Sequence, residues 1–190
     1  MWSPDHTKHI LLWSTPWGPR LSIYSAQKDL QTIILDDLSA GTFVKWSSDS
    51  KGFYLMWSDG GYIGGYHVRA LLVTGDSVIE SPAPKTVAEE FAKYHYCGTR
   101  GNNLYAIRWV NGAQQLLLQP EVYPTSDCGQ EMGFTSGYLA NTASGRILKR
   151  YTAQQMKQIA DGCPSDVFPN AFTTQQEIDD YRKSKEGKPH

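Results

Sequence analysis

WSPDHTKHILLWS, residues 2–14, and WSSDSKGFYLMWS, residues 46–58, align without a gap across all thirteen positions. A shorter third copy, WVNGAQQLLLQ, starts at Trp109. Each copy is a tryptophan, a polar turn and an apolar run, and such recurrence bears on the architecture more than any single motif. The turns have a mechanism. Ser and Asp side chains bond nearby backbone amides, Pro4 presets its own φ, and Gly52 or Gly112 can take a positive φ. Each copy therefore reads as a tight reversal between two strands.

After the turns come Ile10-Leu11-Leu12, Phe53-Tyr54-Leu55 and Leu116-Leu117-Leu118. These continuous apolar runs are too short for a stable helix and suit inner strands covered on both faces. A second hairpin pattern follows each time: LSIYSAQKDLQTIIL from Leu21, ALLVTGDSVIE from Ala70 and SGYLANTASGRILK from Ser136. Each unit thus supplies about four strands. The first two tryptophans stand 44 residues apart, close to the roughly 40–45 of a four-stranded blade, and the next interval is 63.

The longer interval implies an insertion at about 81–102. There SPAP breaks the pattern, and Val87, Phe91 and Tyr94 recur at helical offsets. Past residue 150 the character changes. Thr152 and Gln155 form a capping-box pattern ahead of Met156 and Ile159, with Gly162 and Pro164 as stops, which predicts a helix near 153–161. Thr174 and Glu177 repeat the pattern before a tail, SKEGKPH, expected to fray. The expected organisation is one domain over 1–190, with units at about 2–45, 46–108 and 109–150 and a helical extension over 151–190.

Composition narrows the function. The 190 residues carry 18 basic and 19 acidic side chains, a net charge of −1, which offers no footprint for nucleic acid. Apolar residues at 40% and aromatics at 12% indicate a folded, β-suited chain. No apolar run approaches the roughly 20 residues of a bilayer span, so membrane insertion is not expected. Cys97, Cys128 and Cys163 have no C-x-x-C spacing. They fit either a reduced cytosolic protein or an exported, periplasmic one that has lost a leader and carries one disulfide, with Cys97 and Cys128 as the candidate pair.

The tryptophan-led segments resemble the repeat of TolB-type β-propellers, relatives of the WD repeat, over residues 2–80 and more loosely over 103–150. The resemblance implies a mainly β fold. Three units are fewer than the four blades that normally close a ring. The expected form is therefore an incomplete or distorted propeller-like stack of three antiparallel units with a C-terminal helical segment, or alternatively a β-sandwich. In overall profile the chain also resembles small periplasmic immunity proteins, which neutralise secreted toxins.

No catalytic, metal or cofactor site is expected. His95 and Cys97 share a strand face, but no orienting acid or oxyanion turn accompanies them. His6, His9, His67 and His95 lack ligand spacing. The adjacent acids Asp36-Asp37, Glu89-Glu90 and Asp179-Asp180 diverge on any regular element. DGGYIGGYH, residues 59–67, does not spell a phosphate-binding fingerprint. Ser47, Asp49 and Gly52 approach the Asp-box of sialidase-like propellers, with the glycine one residue late.

What remains is aromatic surface. Trp13, Trp17, Trp57, Tyr62 and Tyr66 lie near strand ends and the STPWGPR loop, and rings of this kind anchor protein interfaces or stack on sugars. The expectation is a non-enzymatic module that grips another protein, such as a secreted toxin whose cleft it occludes. The alternative is a glycan-binding or vestigial sialidase-like module.

Overall fold

The computed structural model describes residues 1–15, 18–25, 28–34, 42–58, 65–93, 103–122, 133–159 and 171–172. Among them the chain is mainly β, with three sheets and two short helices. The first sheet is the meander β1 (Lys8–Thr15), β2 (Gly18–Ser25) and β3 (Lys28–Ile34), with Trp2 bridged to His9 at its edge. The second is β4 (Phe43–Trp46), β5 (Gly52–Ser58), β6 (Tyr66–Thr74) and β7 (Ser77–Glu80). The helix α1 (Ala83–Phe91) follows, inside the insertion expected from the sequence.

The third sheet holds β8 (Asn103–Val110), β9 (Gln115–Val122), β10 (Gly133–Thr135), β11 (Gly137–Asn141) and β12 (Ile147–Tyr151). Both β10 and β11 pair with β9, separated only by Ser136, whose amide still bonds Pro120 O. Helix α2 (Ala153–Ile159) comes next, and β13 (Ala171–Phe172) joins β10 in parallel. All other pairings are antiparallel.

The three tryptophan-led segments share one strand register, and the first two turns also fold alike, whereas the third reverses through Asn111 and Gly112. Trp2 pairs with His9, Trp46 with Phe53 and Trp109 with Leu116, the same seven-residue step each time. In the first two copies the details also match. Ser3 and Ser47 hydroxyls donate to Asp5 and Asp49 at 2.6 Å, and the Lys8 and Gly52 amides donate back to those hydroxyl oxygens at 3.0 Å. The left-handed positions are His6 (φ 59°), Ser50 (φ 58°) and, in the third copy, Asn111 and Gly112 (φ 53° and 64°). Gly52 is therefore not the turn residue; it opens β5 where Ala113 Cβ, Leu71 O and the Trp109 ring would crowd a side chain.

The sheets pack face to face, because strand alternation sends successive side chains of β5 and β6 to opposite sides. Phe53, Leu55, Trp57, Leu71 and Val73 meet Ile10, Leu21 and Ile23 of the first sheet. Tyr54, Val68 and Ala70 meet Leu104, Ala106, Leu116, Leu118, Tyr138 and Ala140 of the third. Helix α1 adds Ala83, Val87 and Phe91 to that second core. The result is sandwich-like layering, and no closed ring forms among the described residues.

The turns also tie the layers together. Asp5 N–H donates to Ser50 Oγ at 3.1 Å, linking sheets one and two. Ala113 N–H donates to both Asp49 oxygens at 3.1 Å, and Trp109 Nε1 donates to Lys45 O at 3.1 Å, linking sheets two and three. Burial raises the Asp49 pKa, but the hydrogen bonds from Ser47 and from the Ala113 and Lys51 amides outweigh it and hold the carboxyl below its ordinary value.

On the far side of the third sheet, Met156 and Ile159 of α2 cover Leu117, Leu139, Ile107 and Tyr151. Gly137 permits this approach, since a Cβ there would lie 2.1 Å from Met156 Sδ. The capping box forms as expected: Thr152 N–H donates to Gln155 Oε1 at 2.9 Å, and Gln155 N–H to Thr152 Oγ1 at 3.2 Å. The Thr174 pattern lies outside the described residues.

Candidate functional site

The outer face of the first sheet is built by alternation along β1 and β2. Ile10, Leu21 and Ile23 point inward and are buried, so His9, Leu11 and Trp13 of β1 and Arg20, Ser22 and Tyr24 of β2 share the other face. Register places His9 opposite Tyr24, Leu11 opposite Ser22 and Trp13 opposite Arg20. The His9 ring stacks on Tyr24 at 4.8 Å, and Trp2 tilts against His9 at 4.7 Å. Trp13 Nε1 donates to Ser22 Oγ at 3.1 Å, which fixes the indole over the strand pair.

The β1 side of this face is apolar and open, whereas Ser22 of β2 is buried and Arg20 and Tyr24 are half-buried. Trp2 is 59% exposed, Leu11 48% and Trp13 43%. The inner-strand expectation therefore holds for Phe53-Tyr54-Leu55 and Leu116-Leu117-Leu118, which are buried throughout, and fails for the first copy. Leu11 lies open because no further sheet covers it among the described residues, and Leu12 is also exposed, at 40%.

The repeat makes the contrast sharper. In the gapless alignment His9, Leu11 and Trp13 correspond to Phe53, Leu55 and Trp57, which the first sheet buries. In the third copy the counterparts are Leu116, Leu118 and Pro120, all buried, with the two leucines in the core shared with the second sheet. The same strand face is thus covered by the preceding sheet twice and uncovered once. Exposed apolar patches of this kind mark interaction surfaces.

Of the aromatic residues singled out from sequence, Trp13 lies on this face. Trp57 is 9% exposed and sits in the core between the first and second sheets, so it is not available as a surface anchor. Tyr66 is 36% exposed but leans on Tyr105 at 4.9 Å, where the second sheet meets the third. Trp17, Tyr62, Cys97, Cys128 and Cys163 lie outside the described residues. Trp2, His9, Leu11, Arg20 and Tyr24 were not singled out as binding residues. The signal for them lies in the alternation of β1, whose odd positions face away from the buried Ile10.

A second feature is chemical rather than topographic. Glu121 of β9 is fully buried, on the same face of the third sheet as Leu117. Its neighbours across the strands are Asn103 and Thr135, but Asn103 Oδ1 accepts the Tyr66 amide proton and Thr135 Oγ1 donates to Pro120 O. Gln119 Nε2 reaches Glu121 Oε2 at 3.5 Å, and Oε1 has no hydrogen-bond partner among the described residues. Burial pushes its pKa up to about 7, against the smaller opposing effect of the Gln119 bond.

Among the described residues no group of three or more His, Cys, Asp or Glu lies close enough to hold a metal ion, and no helix is long and apolar enough to cross a membrane. No protein-family model matches the chain, and no curated protein or solved structure does either.

Proposed function

We propose that this chain is a protein-binding module whose docking surface is the outer face of β1 and β2, centred on Leu11 and Trp13. The observation that carries the reading is the mismatch between equivalent positions. Leu55 and Trp57 are core residues, while Leu11 and Trp13, on the same face of the same repeated strand, are open to solvent. Both side chains are already about half covered, so leaving the rest in water forgoes roughly 1 kcal/mol each of burial free energy, and a partner that covers them recovers it. Indole rings held in place by a hydrogen bond, as Trp13 is by Ser22, lose little freedom on binding and make effective anchors.

In this reading the three tryptophan-led units are blade-like sheets of a propeller-type stack that is open at its first unit. The shared Trp-to-i+7 register supports that kinship. An immunity-type role, in which the face occludes a secreted toxin, is one form that such binding takes.

The test is photo-cross-linking in the cells that naturally make the protein. p-Benzoylphenylalanine replaces Leu11 in one variant and Ile79, which is 58% exposed on β7, in another. The proposal expects protein adducts at position 11 and few at position 79. Equal adduct formation at the two positions, or none at either, refutes it.

A further inference from the structure

Resting on that reading, we infer that the partner protein docks by adding an extended segment to the free edge of β1, antiparallel to it and opposite Leu11 and Leu12. The repeat supplies the template. In the second copy β4 pairs with β5 through Val44 opposite Leu55 and Phe43 opposite Met56. In the third, β8 pairs with β9 through Ala106 opposite Leu118 and Tyr105 opposite Gln119. The equivalent residues of β1 are Leu11 and Leu12. On that edge the pairing stops short of them. Trp2 bridges His9, and Met1 and Ile10 exchange backbone bonds at 2.6 and 2.8 Å, but among the described residues no strand continues along β1 past Ile10.

Two observations mark this gap as a seat for backbone. Antiparallel pairing turns alternate residues of a strand toward one neighbour and then the other. Lys8 O accepts the Ser3 amide and the Ile10 amide donates to Met1 O, so the Leu12 amide and carbonyl also point outward, away from β2, and neither has a backbone partner among the described residues. Unpaired groups on a sheet edge are a template for another chain. The second observation is the Leu12 side chain. It lies on the same face as Ile10, which is 2% exposed, yet is itself 40% exposed. Its counterpart Met56 packs against the core with Phe43 opposite it, and that strand neighbour is what Leu12 lacks.

The template also states the chemistry of the added segment. Both filled edges place an aromatic residue and then an aliphatic one at these positions, Phe43-Val44 and Tyr105-Ala106. The fitting segment therefore carries an aromatic side chain opposite Leu12 and an aliphatic one opposite Leu11. Residues opposite one another share a face, so the aliphatic side chain covers Leu11 beside Trp13 while the aromatic one covers Leu12. One extended segment thus satisfies the edge and the apolar outer face together.

Substitutions at Leu12, combined with the position-11 cross-linker in the native cells, test the backbone contact. Proline at this position removes the outward N–H and leaves the ladder with β2 intact, a placement that edge strands tolerate. Leu12→Pro is expected to lower adduct yield about tenfold, and Leu12→Val, which keeps the amide, to hold it within about twofold of the parent. Equal yields in the two variants overturn strand addition; if both match the parent, the docking face itself stands. Absence of every adduct in the parent overturns both.

Hydrogen exchange followed by NMR gives a readout that holds even if proline at 12 prevents folding. In the wild type the Leu12 amide is expected to exchange at least about tenfold faster than those of Leu11 and Trp13, which face β2. A second protein carries Gly-Thr-Phe-Val, the sequence of residues 41–44, joined ahead of Met1 so that the edge is filled from within. There the Leu12 amide is expected to slow by about tenfold or more, and position 11 to lose its adducts with other proteins. A Leu12 amide already slow in the wild type, or unchanged by the extension, overturns the inference. Adducts that persist in the slowed protein overturn it too and leave the docking face in place.

Discussion

Replacing Glu121 by Gln should stabilise the protein at pH 8 and leave it nearly unchanged at pH 4.5. The carboxyl is wholly out of water, receives one long hydrogen bond from Gln119 Nε2, and has no cation beside it among the described residues. Burial lifts its pKa from 4.5 to about 7. Between those two values the folded chain holds a proton that the unfolded chain releases, so stability falls as pH rises from about 4.5 to about 7 and levels off above. At about 1.36 kcal/mol per pKa unit, the span corresponds to roughly 3 kcal/mol of stability withheld at pH 8. Gln has the same shape and no charge to bury, so the difference between variant and wild type should grow from near zero at pH 4.5 to as much as about 3 kcal/mol at pH 8. Urea denaturation midpoints at half-unit pH steps give that difference directly, and other titrations cancel in it. A variant less stable than wild type at pH 8 would refute the reasoning, because it would mean that the ionised carboxylate is held by a favourable partner.

Three further outcomes follow from the packing. Asp49→Ala removes the acceptor for Ser47, Lys51 and Ala113 together and should cost about 1–2 kcal/mol after allowance for its exposure, whereas Asp5→Ala, which breaks bonds within its own turn only, should cost less; denaturant midpoints rank the two. Gly112→Ala places a Cβ 2.2 Å from Asp49 Oδ2 at φ +64°, so a loss of about 2 kcal/mol is expected, and a neutral result would show that the Asp49 clamp is absent in solution. Leu11→Lys should leave the thermal midpoint of dilute protein within the range of ordinary surface changes, about 0.5 kcal/mol, whereas Leu55→Lys at the equivalent core position should prevent folding.

Much of the fold could be read before the coordinates because its determinants are local. The Ser and Asp side chains that close the first two turns act within five residues, and the capping box at Thr152 and Gln155 acts within three. The helical spacing of Val87 and Phe91 likewise marked α1, whose buried side they form. Exposure was not legible in the same way. Ile10-Leu11-Leu12 reads like Phe53-Tyr54-Leu55, and what separates them is whether another sheet lies on top. The same holds for the site. Trp13 and Trp57 are equivalent letters of one repeat with opposite surroundings, so sequence could nominate both as anchors but could not separate surface from core. Nothing local in the sequence marks Glu121, because its burial depends on strands brought together from distant stretches of chain.

The most direct test of the account is hydroxyl-radical labelling of dilute protein, read residue by residue by mass spectrometry. If the tryptophan-led units are one hairpin stacked three times and left open at the first, Trp13 and Leu11 should be oxidised several-fold faster than Trp57 and Leu55. Equal rates within those two pairs, or faster oxidation of Trp57, would contradict both the stacking and the docking face drawn from it.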